Sequence, residues 1–277
     1  MLGAYALLIP LCFLENHLTR RQTPLASFEP MNTRRGMQMV RWNAHMRALM
    51  AVVMAALMAL VMLLYERQMT WGLLLLAVTP FAVSLVYGLW VNKKNLALFN
   101  DELNPAAYYD VMVDFYQRAR SKKQQMSYLQ NILSAYIAMG QEDVARELAQ
   151  RAQDEPKLPL VRVVFDYTKI SLCTEYKLFL QQEVPLKAEL ARLKRSKVTD
   201  EITLLLDGCR AQLAQHPQGL LWYANMLEQQ FPSAYHHVQA ASCRAEAYGL
   251  LGDTAAQRAE LLEVAQHGGG LALRTRA

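Results

Sequence analysis

The residues best equipped for chemistry are few and scattered along the chain. His236, His237 and Cys243 come nearest to a metal cluster, since His236 and Cys243 stand two helical turns apart on one face. Two such ligands do not complete a tetrahedral site, and adjacent histidines point apart, so no metal is expected. The cysteines Cys12, Cys173, Cys209 and Cys243 form no close pair. They read as reduced core thiols of a cytosolic domain rather than as disulfides or zinc ligands. His216, just before Pro217, reads as a helix end where its partial positive charge favours the terminal carbonyls. The acid pairs Glu142 with Asp143 and Asp200 with Glu201 fall at helix starts, where they compensate the macrodipole. No glycine-rich phosphate loop, HExxH or GxSxG pattern occurs, and no helix follows Gly268 to Gly270. The expectation is therefore no catalytic residue, no cofactor and no enzymatic activity.

One further pattern invites chemistry. Met46, Met50, Met54, Met58 and Met62 recur every fourth residue, a row of thioethers that suits a soft metal such as Cu(I). No Cys or His stands beside them within the apolar stretch, and one helix offers too few ligands at one level. Flexible methionines are common filler in apolar packing, and that reading is preferred.

These residues sit on elements of two kinds. From Ala48 to Tyr65 and from Trp71 to Val91 run 18 and 21 residues without a charge. As helices they reach about 27 and 31 Å, close to the hydrocarbon thickness of a bilayer. They predict a two-helix transmembrane hairpin over 48–91. Arg34, Arg35, Arg41 and Arg47 precede the first span, while Lys93 and Lys94 follow the second, which places both termini in the cytoplasm of a cell-membrane protein. Trp42, Trp71, Tyr87 and Trp90 read as interfacial anchors, and Pro80 as a bend in the second span. Ala51, Ala55 and Ala59, with Ser84 and Gly88 opposite, read as small residues that let the two backbones approach. Neither span holds Asp, Glu, Lys or His, so an ion or substrate path through the hairpin alone is not expected. Residues 1–47 form an N-terminal arm. Its first fifteen residues are too short an apolar run to span, and read either as an interfacial segment or as a stretch ahead of a start at Met31, Met37 or Met39.

The charge balance agrees with a membrane anchor. Of 277 residues 53% are hydrophobic and 19% charged, and the net charge is +5. Residues 92–277 hold 22 basic and 21 acidic groups, without the clustered charge a nucleic-acid binder needs. After a linker at 92–104, residues 105–267 are rich in helix formers with apolar positions three and four apart, which predicts about nine helices and an all-α chain. Asn104 before Pro105, Ser121 with Gln124, and Thr254 with Gln257 read as helix starts. Gly140, Pro156, Pro159, Pro185, Pro217, Pro232 and Gly252 read as stops. Leu160 to Thr168 alternates like a strand yet fits a helix equally well. Residues 268–277 read as a flexible tail.

The stretch 126–157 resembles a tetratricopeptide repeat (TPR), carried by Leu129, Ile132, Leu133, Tyr136, Gly140, Ala145, Ala149 and Ala152, with Pro156 one residue early. A second, degraded trace runs from Cys243 to Ala265, where Tyr248 and Gly252 repeat the spacing of Tyr136 and Gly140, but Gln257 stands where a small residue belongs. The resemblance implies a TPR-like α-solenoid of antiparallel helix pairs, in which the first helix of each pair lines a groove. It also implies that Ser127, Gln130, Asn131 and Ser134 face a bound partner, and their spacing does place them on one polar face. The leading expectation is a membrane-anchored cytoplasmic scaffold that binds a protein or peptide partner, with lipid around the hairpin. The alternative is a non-catalytic accessory subunit of a membrane enzyme or transporter. A third reading is a structural protein that forms homo-oligomers through Ala51, Ala55 and Ala59.

Overall fold

The computed structural model describes residues 27–66, 70–119, 121–151 and 159–273. The apolar run 1–15 with Cys12, residues 67–69, Ala152, Pro156 and residues 274–277 lie outside them. Among the described residues the chain is all-helical, with eleven helices and no strand: α1 Arg34–Glu66, α2 Thr70–Asn100, α3 Pro105–Arg118, α4 Lys122–Ala138, α5 Glu142–Arg151, α6 Pro159–Ser171, α7 Tyr176–Arg192, α8 Lys197–Leu213, α9 Pro217–Gln230, α10 Ala234–Leu251 and α11 Thr254–His267. The stretch of ambiguous alternation thus lies in a helix, α6.

α1 and α2 are long helices of 33 and 31 residues that extend from the rest of the molecule. One stretch, Arg34–Leu60, has the length and apolar composition of a membrane span, with only 6% of its most apolar window buried. The second expected span, 71–91, is helical, but the side chains of 71–78 are outside the described set. The helix boundaries differ from expectation. α1 begins at Arg34 rather than near 48, so the basic flank and the apolar stretch form one rod, and most of the presumed linker continues α2 to Asn100. Asn43 donates from Nδ2 to Asn95 Oδ1 at 3.0 Å, and Trp42 meets Trp90 with ring centroids 5.1 Å apart, so the first part of α1 lies beside the last part of α2. Ala51, Ala55, Ala59, Ser84 and Gly88 are all exposed, and a Cβ added at Gly88 meets nothing within 4 Å. Among the described residues of the two apolar stretches, the half-buried positions are instead Met50, Val53, Met54 and Leu57 on α1 and Thr79, Pro80, Val83, Tyr87 and Val91 on α2. Among the described residues, then, the small side chains are not the covered ones.

Residues 27–33, part of the expected N-terminal arm, are docked on α3. Phe28 packs edge-on against Tyr116 at 5.0 Å, and its carbonyl accepts from Gln117 Nε2 at 3.0 Å. Asp110, only 1% exposed, accepts from the Asn32 N–H at 3.0 Å, the Thr33 N–H at 2.7 Å and the Thr33 hydroxyl at 2.6 Å. A carboxylate on α3 thus satisfies donors at the entry to α1, the role a capping side chain usually plays from within its own chain segment. The fit depends on Gly36, where a Cβ would sit 2.4 Å from Asp110 Oδ2.

From α3 onward consecutive helices pack against one another except at α5, after which α6 packs on α4, α7 and α8. Three of the hairpin turns share one geometry. The Gln141, His216 and Asp253 amides donate to the carbonyls five residues back at 2.9, 2.9 and 3.0 Å, and the residues before them have φ of +76° at Gly140, +50° at Gln215 and +77° at Gly252. This is the left-handed cap that glycine adopts without strain. The cap at Asn104 and the Ser121 side chain bonded to the Gln124 amide agree with the sequence reading. Other signals fall differently. Pro159 and Pro217 open helices, as proline's fixed φ allows at a first position. Pro185 lies inside α7, where it and Gln181, whose carbonyl it leaves without a donor, are both exposed to water. His216 starts a helix rather than ending one, its Nδ1 accepting from the Gly219 amide at 2.9 Å. Asp253, not Thr254, caps α11.

The far end does not hang free. Gly270 donates to the Leu103 carbonyl at 2.8 Å, and Leu271 is 2% exposed in the core that also holds Leu98, Tyr109 and Ala138. Phe99 of α2 meets Tyr235 of α10 at 4.8 Å. The last helices therefore close back on the first.

Candidate functional site

Alternate helices face inward. α4, α6, α8 and α10 line one cavity of about 520 Å³, with the Leu271 to Leu273 segment completing a wall. Its polar lining comes chiefly from Ser134, Thr168, Gln212, Gln239, Ser242 and Glu246. Several of these groups are turned toward their own helices. The Ser134 hydroxyl donates to the Gln130 carbonyl at 3.2 Å, and Thr168 to the Val164 carbonyl at 3.0 Å. Two are not. Gln239 donates from Nε2 to the Tyr223 hydroxyl at 3.1 Å, while its buried Oε1 has no hydrogen-bond partner among the described residues. Glu246 accepts from Gln212 Nε2 at 2.9 Å, and burial raises its pKa above the usual carboxylate value, against the lowering effect of that bond.

No Lys, Arg or His is among the described residues that line this cavity, whereas Glu142 and Glu246 are. Among those described lining residues the charged side chains are thus of one sign. Cys173, Cys209 and Cys243 are half-buried against the apolar clusters, as expected of core thiols, and also open onto the cavity. Burial pushes Cys209 up to about 11 and Cys243 up to about 12, and raises Cys173 as well. Such thiols stay protonated near neutrality and are poor nucleophiles. Burial likewise pushes Tyr235 up to about 12.

Of the four residues expected to face a partner, Ser134 lines the cavity; Ser127, Gln130 and Asn131 do not, although all four are half-buried. Asn131 bonds the Ser127 carbonyl at 3.2 Å. The lining residues of α8, and those of α10 before Cys243, carried no motif. The signal that was available is compositional: Gln212, Gln239, Ser242 and Glu246 interrupt otherwise apolar helix faces. The histidines take other roles. His236 contacts Ser233 at 2.9 Å and Glu201 at 3.2 Å, while His237 bridges Glu228 at 2.7 Å and Glu263 at 2.9 Å. Among the described residues no group of three or more His, Cys, Asp or Glu is placed to hold a metal ion.

Compared with known proteins, the chain matches no family model, no curated sequence and no solved structure.

Proposed function

We propose that the chain is a membrane-anchored adaptor whose cytoplasmic helical array holds a segment of a protein partner in the inward-facing groove. The single observation that carries this reading is that α4, α6, α8 and α10, the first helices of successive pairs, converge on one cavity with Glu246 inside it. This is the arrangement by which TPR-like solenoids present a binding surface, and the shared turns at Gly140, Gln215 and Gly252 support that likeness. The absence of basic lining side chains among the described residues favours a segment that carries a Lys or Arg. Raised thiol pKa values at Cys209 and Cys243 favour a binding rather than a catalytic role.

Two spans, α1 and α2, anchor the array with both termini cytoplasmic. Support comes from exposed Leu49, Val52, Met58, Met62, Leu63, Leu85, Val86 and Leu89, which would leave two bare apolar rods in water. A second reading, an accessory subunit of a membrane complex, is favoured by the exposed small residues Ala51, Ala55 and Ala59, which suit lateral contact with another helix. The test is a photo-crosslinking residue placed at Gln239 of the full chain in cells, with an exposed control at Val184. The adaptor reading expects a discrete protein adduct at Gln239 alone, lost on Glu246→Lys. Adducts of equal yield at both positions overturn it, and adducts only from Ala55 favour the subunit.

A further inference from the structure

We propose that the cytoplasmic base of the hairpin is a binding site for an anionic phospholipid headgroup. The inference rests on α1 and α2 being membrane-anchored, but not on the groove. Between the two helices, where they enter the rest of the molecule, lies a cavity of about 480 Å³. Its walls are graded. Trp42 and Trp90 form one side in their edge-to-face contact, and Met39 and Ala97 extend the apolar surface inward. Arg35 and Lys94 line the same cavity and are exposed.

The vertical order of these groups fits an amphiphile. Exposed Leu85, Val86 and Leu89 lead without a break to Trp90, which is 43% exposed, and Lys94 follows one helical turn later. On the other helix Arg35 lies about two turns on the cytoplasmic side of Trp42. Acyl chains would lie along the aliphatic face, the glycerol region against the indoles, and a phosphate between the two cations. Indoles prefer that level of a bilayer, and cationic pockets between helices on the cytoplasmic side suit anionic headgroups.

Glu102 does not cancel the site; it builds it. Its carboxylate holds Arg35 through Nε at 2.8 Å and through Nη2, so the guanidinium is fixed across the mouth while Nη1 keeps no bond among the described residues. The hydrogen bond from Arg35 also holds the Glu102 carboxyl below its usual pKa, with Lys94 adding to that effect, so the acid stays ionised near neutrality. Arg35 and Lys94 against Glu102 leave a net positive lining at the level of the phosphates.

The test uses the purified full chain in detergent, read by native mass spectrometry after addition of phosphatidylglycerol or phosphatidylcholine at equal concentration. The expected result is preferential retention of phosphatidylglycerol, reduced about fivefold by Lys94→Gln and preserved by Lys94→Arg, as removal of one charge near an anionic surface predicts. Inorganic phosphate in excess should not displace the lipid, because the aliphatic and indole contacts are missing from it. Equal retention of the two lipids, an unchanged preference in Lys94→Gln, or displacement by inorganic phosphate overturns the proposal. A carbonate wash of cell membranes separates the premises: release of the chain ends the membrane reading itself, while a chain that stays with the bilayer yet shows no lipid preference ends only this one.

Discussion

Two carboxylates, Asp110 at the joint between α1 and α3 and Glu246 in the groove, are treated in opposite ways by the same fold. Asp110 is buried and receives three hydrogen bonds from Asn32 and Thr33, so the charge is compensated by donors that have no other use. Glu246 is half-buried, accepts from one amide, and has no basic side chain beside it in the cavity lining among the described residues. The joint is thus finished internally, whereas the groove is left electrostatically incomplete. Regions that bind are expected to carry such local costs, because a site that satisfies itself has nothing left for a ligand.

The strongest way to break this contrast is at the joint. Asp110→Ala removes three acceptor contacts at once and strands the Asn32 and Thr33 amides, and a loss of roughly 2–4 kcal/mol is expected, the range for charged hydrogen-bond partners lost from a buried site. Gly36→Ala should act in the same direction, since its Cβ would overlap the Asp110 carboxylate. Thermal unfolding of the detergent-purified chain measures the loss, and amide hydrogen exchange at Asn32 and Thr33 locates it. Unchanged exchange at those two amides in Asp110→Ala would show that the carboxylate does not fasten the joint.

Glu246→Gln should act in the opposite direction. The folded-state pKa of Glu246 is raised, so ionisation disfavours the native state above the unfolded carboxylate value of 4.5. The variant should match the wild type at pH 4 and exceed it increasingly as pH rises through the folded pKa. The gain at neutral pH should stay below about 1 kcal/mol, because a half-exposed acid keeps much of its hydration. A stabilised variant that also loses the Gln239 crosslink would tie the instability to binding. Glu246→Gln that melts lower than wild type at pH 8 would contradict the contrast.

The turns offer a smaller effect within the array. Gln215 holds a left-handed backbone, φ +50°, at the position that Gly140 and Gly252 occupy in the matching turns. Gln215→Gly relieves that strain but adds freedom to the unfolded chain, so the expected gain is about 0.5–1 kcal/mol. Gly252→Ala, which has open space for its Cβ, should lose a similar amount through backbone conformation alone. Equal melting temperatures for these variants and wild type would mean that the three turns are not energetically alike.

What the sequence made legible follows from what is local. Helix formers, caps at Asn104 and Ser121, and the turn glycines act within a few residues, so the helical class and the helix pairs were readable from spacing. Long-range contacts were not. Nothing near Asp110 announces that its partners lie 77 and 78 residues earlier, and the Gly268 to Gly270 run looks like a free end unless Leu103 is known to receive it. The groove was missed for the same reason, since a few residues from each of four helices far apart in the chain leave no local pattern. Ser134, named because it sits in the segment with the clearest repeat spacing, does line the cavity. Pro185 misled because a proline stop assumes a buried carbonyl in need of a donor, and Gln181 is in water.

The outer surface of α10 supplies the smallest effect and the most pointed one. His237 lies between Glu228 of α9 and Glu263 of α11, and Arg244, a neighbour two turns along, bonds Glu228 and Glu260. The hydrogen bond to Glu263, more than the opposing burial, raises the His237 pKa above 6.5. Its contribution is therefore complete below 6.5 and is lost as pH climbs through the folded value. Glu263 is lowered chiefly by His237, and Glu228 is lowered because Arg244 and His237 outweigh its burial, so their contributions are complete above 4.5 and fade as pH falls through their folded values. Between those limits all three act together, and His237→Gln should cost most near pH 5–6 and little at pH 9. His237 is nearly half exposed, so only a small shift in melting temperature is expected. α10 also carries Val238 and Ala241 into the joint core and Gln239 and Glu246 into the groove. If His237→Gln alters the Gln239 crosslink yield with the same pH profile as the melting shift, the outer clamp sets the position of α10 within the groove. If melting shifts while the crosslink does not, joint and groove are separable, and the difference between Asp110 and Glu246 is a property of each site alone.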